Sequence, residues 1–337
     1  MSITLPRVPA APVAVAAEVG CAACASGEAH SHHAPLATRP TLIIHSPAGA
    51  VQLPASLDRA SKRLTRMGFD VTLAEHAKAR VQRFAGDEAQ RIADLHATAR
   101  ACPDVALASR GGYGLTRILD GIDWKLIAAS VDAGVKWVGH SDLTAFQMAL
   151  LAHTRRPTWM GPMAAFDFGR RKSDLDEITC DCFVEAMTGQ LEAIGFKTGK
   201  GHDGLDTQGL LWGGNLAVLC SLLGTRHWPR VSGGILVLED VAEPVYRIER
   251  LLLQLHQCGV LAQQSAIVLG DFTDCSTGPM DAGYGLKAVV AYLRSQISTP
   301  ILTGAPVGHG DLKVTLPVGR SVRLAVQGRE AMIHWAD

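Results

Sequence analysis

Residues 135–146 read Val-Lys-Trp-Val-Gly-His-Ser-Asp-Leu-Thr-Ala-Phe. An apolar strand, Val135 to Val138, meets Gly139, then Ser141, then a helical pattern over Asp142 to His153 that turns Leu143, Phe146, Leu150 and Leu151 inward. A hydroxyl at such a junction is lifted from the carboxyl edge of a sheet, with the free N–H groups of a helix start behind it to stabilise a developing oxyanion. Leu143 stands where the G-x-S-x-G pattern has its second glycine, so the turn departs from the usual elbow. Ser141 or Asp142 as a plain helix cap stays open as the alternative. His140 would point away in an extended turn and is a poor base for its neighbour.

Working outward, strand and helix patterns alternate: Thr41 to His45 (strand), Asp58 to Met67 (helix), Asp70 to Leu73 (strand), Asp87 to Arg100 (helix), Asp104 to Ala108 (strand), Lys125 to Ser130 (helix) and Pro157 to Met160 (strand). Such alternation means a parallel sheet with helices on both faces. A helix over Ser173 to Met187 leads into the Gly-rich Thr198 to Gly204, read as a linker, and a second unit begins near Gly209. There the predicted elements are Asn215 to Leu223 (helix), Ile235 to Leu238 (strand), Tyr246 to Gln257 (helix), Ala266 to Leu269 (strand), Leu286 to Arg294 (helix) and Ile301 to Thr303 (strand). Short runs over Lys313 to Leu316, Val322 to Val326 and Ala331 to Trp335 resemble an antiparallel meander. In the Tyr246 helix Ile248, Leu251, Leu252 and Leu255 form one apolar stripe, which marks scaffold.

The 337 residues correspond to about two domains at roughly 150 residues each. Lys+Arg and Asp+Glu are both 32, so no single-sign field recruits nucleic acid or an anionic membrane. An apolar fraction of 47% with 19% charged residues suits a soluble globular chain, and every apolar run falls short of a membrane span. The eight cysteines are scattered, which reads as reduced thiols in a cytosol. Cys21 and Cys24, followed by His30, His32 and His33, could ligate a metal, but they lie in an Ala/Pro-rich stretch. Residues 1–40 are therefore read as a disordered extension. A secretion signal fits poorly, because the apolar run from Val8 to Ala17 holds Pro9 and Pro12 and stops at Glu18.

Three further stretches carry chemistry. Arg110-Gly-Gly-Tyr-Gly114 follows a strand and offers backbone donors to a phosphate or an oxyanion, or is a tight turn; it lacks both the dinucleotide and the P-loop spacing. Glu239, Asp240 and Glu243 follow the Ile235 strand, where catalytic groups of open α/β sheets lie, although solvated loop charges look the same. His309, between Gly308 and Gly310, is a loop histidine suited to general-base work or simply a surface residue. Serine, acid, histidine is the chain order of α/β-hydrolase triads, yet order alone proves nothing.

Taken together, Arg110-Gly-Gly-Tyr-Gly114, Gly139-His-Ser-Asp-Leu-Thr-Ala145, Gly161-Pro-Met163, Leu211-Trp-Gly-Gly-Asn-Leu216, Leu238-Glu-Asp240, Arg247 to Leu255 and Gly308-His309 resemble the muramoyl-tetrapeptide L,D-carboxypeptidases. These are serine peptidases whose distant branch includes the microcin C self-immunity proteins. The resemblance implies an α/β protein: a Rossmann-like parallel-sheet domain over 41–168 bearing the nucleophile, a helix and linker over 169–208, and a smaller α/β domain over 209–337 with terminal antiparallel strands, bearing acid and base. It implies Ser141 as nucleophile, His309 as base and Glu239 as its orienting acid. The backbone N–H of Asp142 and one from the Gly111-Gly112 turn, Gly112 in preference to Gly111, become the oxyanion donors. Arg110, Tyr113, Trp212 and Asn215 are the positions expected to meet substrate. The implied substrate is a muropeptide or free tetrapeptide whose terminal D-Ala is linked to the L-centre of a diamino acid. No metal, organic cofactor, nucleic acid or membrane enters, and the implied protein is a cytoplasmic homodimer. The alternatives are a microcin-type peptidyl-adenylate amidase, a non-catalytic two-domain peptide or sugar receptor, and metal-dependent hydrolysis through the Cys21/Cys24 tail.

Overall fold

Alternation of period-2 and period-3.6 patterns produces two sheets. The computed structural model describes residues 39–171 and 176–335; the Cys21/Cys24 tail and the Ser173 start of a predicted helix lie outside the described residues. In the first half β1 (Thr41–His45), α1 (Ala55–Arg66), β2 (Asp70–Leu73), α2 (Glu88–Ala101), β3 (Val105–Ala108), α3 (Trp124–Asp132), β4 (Lys136–Val138), α4 (Leu143–Thr154) and β5 (Thr158–Met160) follow the predicted alternation. The strands pair in parallel in the order β2-β1-β3-β4-β5. Helices cover both faces, so the centre of the sheet is uniformly apolar and β3 is buried at every residue. Local chemistry agrees: α2 opens on a capping box, in which Asp87 accepts from the Gln90 N–H and the Gln90 side chain accepts from the Asp87 N–H.

The second half adds α5 (Glu177–Thr188), β6 (Ala193–Lys197), β7 (Asp206–Asn215), α6 (Leu216–Ser221), β8 (Ile235–Val241), α7 (Val245–Gln257), β9 (Ala266–Thr273), α8 (Leu286–Gln296), β10 (Ile301–Thr303), β11 (Leu316–Val318), β12 (Ser321–Gln327) and β13 (Glu330–His334). Its sheet runs β10-β9-β8-β7-β12-β13-β6. The β10, β9, β8 and β7 pairings are parallel, whereas β12, β13 and β6 add antiparallel strands at the other end of β7. Along α7, Ile248, Leu252 and Leu255 are buried and Leu251 half-buried, as the stripe requires.

Three features depart from the sequence reading. β6 and the first half of β7 occupy a stretch in which no strand is expected, since Gly195, Gly209, Gly213 and Gly214 imitate turn punctuation. The expected run Lys313 to Leu316 becomes a strand only at Leu316, because Lys313 is drawn into a buried ion pair. Finally, β11 leaves the terminal meander and pairs antiparallel with β5 at the edge of the first sheet. Pro317 has no N–H to donate and suits an edge strand.

Two consequences position the site. Helix α4 is buried at every residue from Leu143 to Leu151 and packs against α6 and β7, so it is shared by the two halves. The loop from 304 to 315 starts at β10 in one sheet and ends at β11 in the other, and it carries His309 between them.

Candidate active site

Ser141 adopts φ 62°, the left-handed region that a non-glycine residue enters at a cost of about 1–3 kcal/mol. The strain comes from reversing the chain between β4 and α4, and it leaves the serine half-exposed above buried neighbours. The capping alternative fails: Asp142, the residue before α4, makes no side-chain cap, and its carboxylate turns instead to the Leu115 N–H, 2.8 Å away. A Cβ on Gly111 would stand 2.4 Å from Ser141 Oγ, so the glycine turn is pressed against the hydroxyl. The Gly111 carbonyl accepts from the Gly49 N–H at 3.3 Å. Across a trans peptide the Gly112 N–H therefore points to the opposite side from Gly49.

Glu239 lies on β8 and is fully buried. Its Oε2 accepts from Nδ1 of His309 at 2.8 Å, which leaves Nε2 of that ring as the free base. Gly308 permits the contact, since a Cβ there would lie 3.0 Å from the Glu239 Cβ. His309 packs edge-on against His140, centroids 4.9 Å apart, and against Phe166 at 6.0 Å. The residue preceding Ser141 is therefore in ring contact with His309. His140 itself donates from Nδ1 to the Gly161 carbonyl at 2.9 Å, and burial holds its pKa well below the ordinary histidine range. It is a neutral wall of the site, in keeping with the expectation that it is no base.

Ser141, Gly112, Tyr113, Asn215, Asp240 and Glu243 border a cleft of about 490 Å³. Of the three acids at the end of β8 and just beyond it only Glu239 meets the histidine. Asp240 accepts from Asn215 Nδ2 at 3.0 Å and from the Ala217 N–H at 2.9 Å, fixing the start of α6, and Glu243 pairs with Arg247 at 3.0 Å. Burial pushes the carboxyls of Asp142 and Asp240 up to about 6 each. Among the described residues no group of three His, Cys, Asp or Glu is arranged to hold a metal ion.

Comparison with known proteins gives the family. Residues 43–161 match the LD-carboxypeptidase N-terminal domain and residues 208–324 the LD-carboxypeptidase C-terminal domain. The chain belongs to the LD-carboxypeptidase family. This LD-carboxypeptidase is 32% identical to the murein tetrapeptide carboxypeptidase of Pseudomonas aeruginosa, over 83% of its own length and 91% of the relative's. It is 30% identical to a probable murein peptide carboxypeptidase of Bacillus subtilis, over 83% and 88% respectively. The crystal structure of muramoyltetrapeptide carboxypeptidase from Oxalobacter formigenes superposes with TM-score 0.81 at 38% identity, covering 88% of this chain and 99% of that one. The microcin C7 self immunity protein MccF shares the fold, with TM-score 0.78 at 22% identity over 90% of this chain and 98% of its own. Family membership makes the protein a hydrolase of the carboxypeptidase kind, and no helix among the described residues is long and apolar enough to cross a membrane.

The expected substrate contacts of the LD-carboxypeptidase separate into two sides and one misplacement. Tyr113, half-exposed, and Asn215 border the cleft with Ser141. Arg110 turns away, donates to the Ala50 carbonyl at 2.9 Å and lines a neighbouring cavity. Trp212 is corrected: it is 1% exposed, its indole N–H donates to Gln264 Oε1 at 2.9 Å, and its ring packs on Trp228, so it is core. Sequence reasoning passes over Phe166, Asp167 and Lys313. Lys313 Nζ, buried, pairs with Asp167 Oδ1 at 2.9 Å, also donates to the Gly310 carbonyl, and sits 5.4 Å over the Phe166 ring. A lysine expected inside an apolar strand was the available signal, since buried lysine needs a partner.

Proposed function

We propose that the protein is a serine L,D-carboxypeptidase which removes the terminal D-Ala from cell-wall tetrapeptides through an acyl-enzyme. Ser141 Oγ attacks the carbonyl of the last peptide bond while His309 Nε2 takes its proton. Glu239 holds the Nδ1–H tautomer and balances the imidazolium that forms. Its Oε1 is buried without a hydrogen-bond partner among the described residues, so this carboxylate gains from the arrival of positive charge on the ring. The Asp142 and Gly112 N–H groups receive the oxyanion, each worth on the order of a hundredfold in rate. The imidazolium then protonates the leaving amine, and water, activated by His309, releases the tripeptide. Tyr113 and Asn215 border the acyl side of the cleft.

The observation that carries this reading is the 2.8 Å bond from a loop histidine to a fully buried glutamate, with the residue beside a left-handed serine in contact with the same ring. Similarity to murein peptide carboxypeptidases supports the substrate class. The reading carries with it a homodimer in the cytoplasm, in keeping with free thiols at Cys102, Cys180, Cys182, Cys220, Cys258 and Cys275. The test offers purified protein a muramoyl-tetrapeptide and a peptidyl-adenylate side by side. Release of D-Ala with no amide cleavage in the adenylate is the expected result. Adenylate cleavage alone, or peptide binding without release, rejects the proposal.

A further inference from the structure

Next to the serine cleft lies a second cavity of about 320 Å³, bordered by Arg59, Arg110, Arg170, Arg171, Phe166 and Ser56, with no carboxylate in its lining among the described residues. Arg170 is matched by Asp311. Arg59 and Arg110 are held by main-chain carbonyls alone, those of Gly169 at 2.8 Å and Ala50 at 2.9 Å, and among the described residues neither they nor Arg171 has an ion pair. Among the described residues the lining is therefore cationic and partly desolvated, with Arg59, Arg110 and Arg171 unneutralised. Burial, then the charge of Arg83, pull the Arg110 pKa below its ordinary value. Its position is that of a ligand site: the chain after β1 and the chain after β3 diverge here, at the point where the order of the first sheet reverses.

Two walls tie it to the reacting groups. Phe166 is in ring contact with His309, and Arg110 Nη2 lies 3.1 Å from where a Gly112 Cβ would be. In a serine peptidase the imidazolium gives its proton to the departing amine, so the leaving residue lies on the histidine side of the serine. The acyl portion is left to the other cleft, with Asn215 and Tyr113.

We propose that the arginine-lined cavity receives the free terminal carboxylate of the leaving residue, with Arg59, Arg110 and Arg171 as the specificity-determining residues that restrict the enzyme to chain ends. The inference rests on the peptidase reading and adds which end of the substrate enters where. A guanidinium presents a planar fork that grips a carboxylate in two places, and a neutral amide cannot replace that charge.

The experiment compares the full-length enzyme on three tetrapeptides: the free acid, the same peptide amidated at its C-terminus, and the same peptide amidated at an interior carboxylate. Release of the last residue is expected to fall at least tenfold in kcat/KM with the terminal amide and to stay near wild type with the interior amide. Arg59→Gln and Arg171→Gln are then expected to raise KM for the free acid by about tenfold with kcat nearly kept, and to change nothing further for the terminal amide. Equal turnover of free acid and terminal amide by the unaltered enzyme overturns the inference and leaves the peptidase reading standing. So does a loss confined to the interior amide. Absence of release from every peptide overturns the peptidase reading itself.

Discussion

At Ser141 the chain accepts a φ of 62° with a side chain present, and the nearest constraint on that hydroxyl is a glycine with no room to grow. Gly111→Ala places a methyl group 2.4 Å from Oγ, so serine or loop must shift. Displacements near 1 Å at a reacting atom cost about a hundredfold. The expected outcome is a kcat lower by about that factor with little change in Tm, checked by steady-state kinetics beside a thermal melt. Glu239→Gln keeps the shape but no longer stabilises the imidazolium or its tautomer; kcat is expected to fall about 10³–10⁴-fold while the circular dichroism spectrum is unchanged. These candidates were legible in the sequence because Ser141 and His309 follow apolar strands, Glu239 ends the apolar run of β8, and each stands beside a glycine or an acid. The choice among Glu239, Asp240 and Glu243 was open on local grounds, because alternation along β8 puts adjacent side chains on opposite faces without saying which face meets the histidine. Trp212 was misread for a similar reason: an aromatic before Gly213-Gly214 looks alike in a cleft and in a core.

Among the elements, the 304–315 loop joins the sheets and sets His309 against Glu239 of β8 and the ring of His140. Lys313 anchors it, with 2% of its side chain exposed and its ammonium on Asp167, itself 3% exposed. Lys313→Met removes the close cation from that carboxylate, leaving Arg170 Nη2 at 3.9 Å, and is expected to cost about 3 kcal/mol by urea denaturation. Adding Asp167→Asn to it is expected to recover a large part, because the remaining amide oxygen still accepts from the Met163 N–H, 2.7 Å away in the native site. Equal losses in single and double variants would show that the pair is not what anchors the loop. Alternating patterns made most helices and strands readable, α7 above all, whereas α4, buried at every residue from Leu143 to Leu151, has no single stripe. The return of β11 to the first sheet was not readable, since pairing between strands over 150 residues apart along the chain leaves no local signature in either.

Over the whole molecule, two carboxyls are buried at the cleft for the sake of the backbone groups they hold. With Asp142 and Asp240 raised from 3.8 to about 6, the folded state binds their protons more tightly than the unfolded chain. Their contribution is fully present below pH 3.8 and is lost as pH rises through about 6. Asp142→Asn removes one of these titrations and keeps an acceptor for the Leu115 N–H. Wild type is expected to lose about 2 kcal/mol relative to this variant between about pH 4.5 and 7.5 in urea melts; parallel curves would count against it. The shared helix α4 and the crossing loop bring the residue beside Ser141 against the His309–Glu239 pair, and the proposed triad depends on that convergence. It is tested most directly by D-Ala release from an L,D-linked tetrapeptide, wild type against Ser141→Ala at equal concentration and neutral pH. Steady release by wild type is expected, with a rate lower by at least about 10³-fold in the folded variant. Release by Ser141→Ala at the wild-type rate would contradict it.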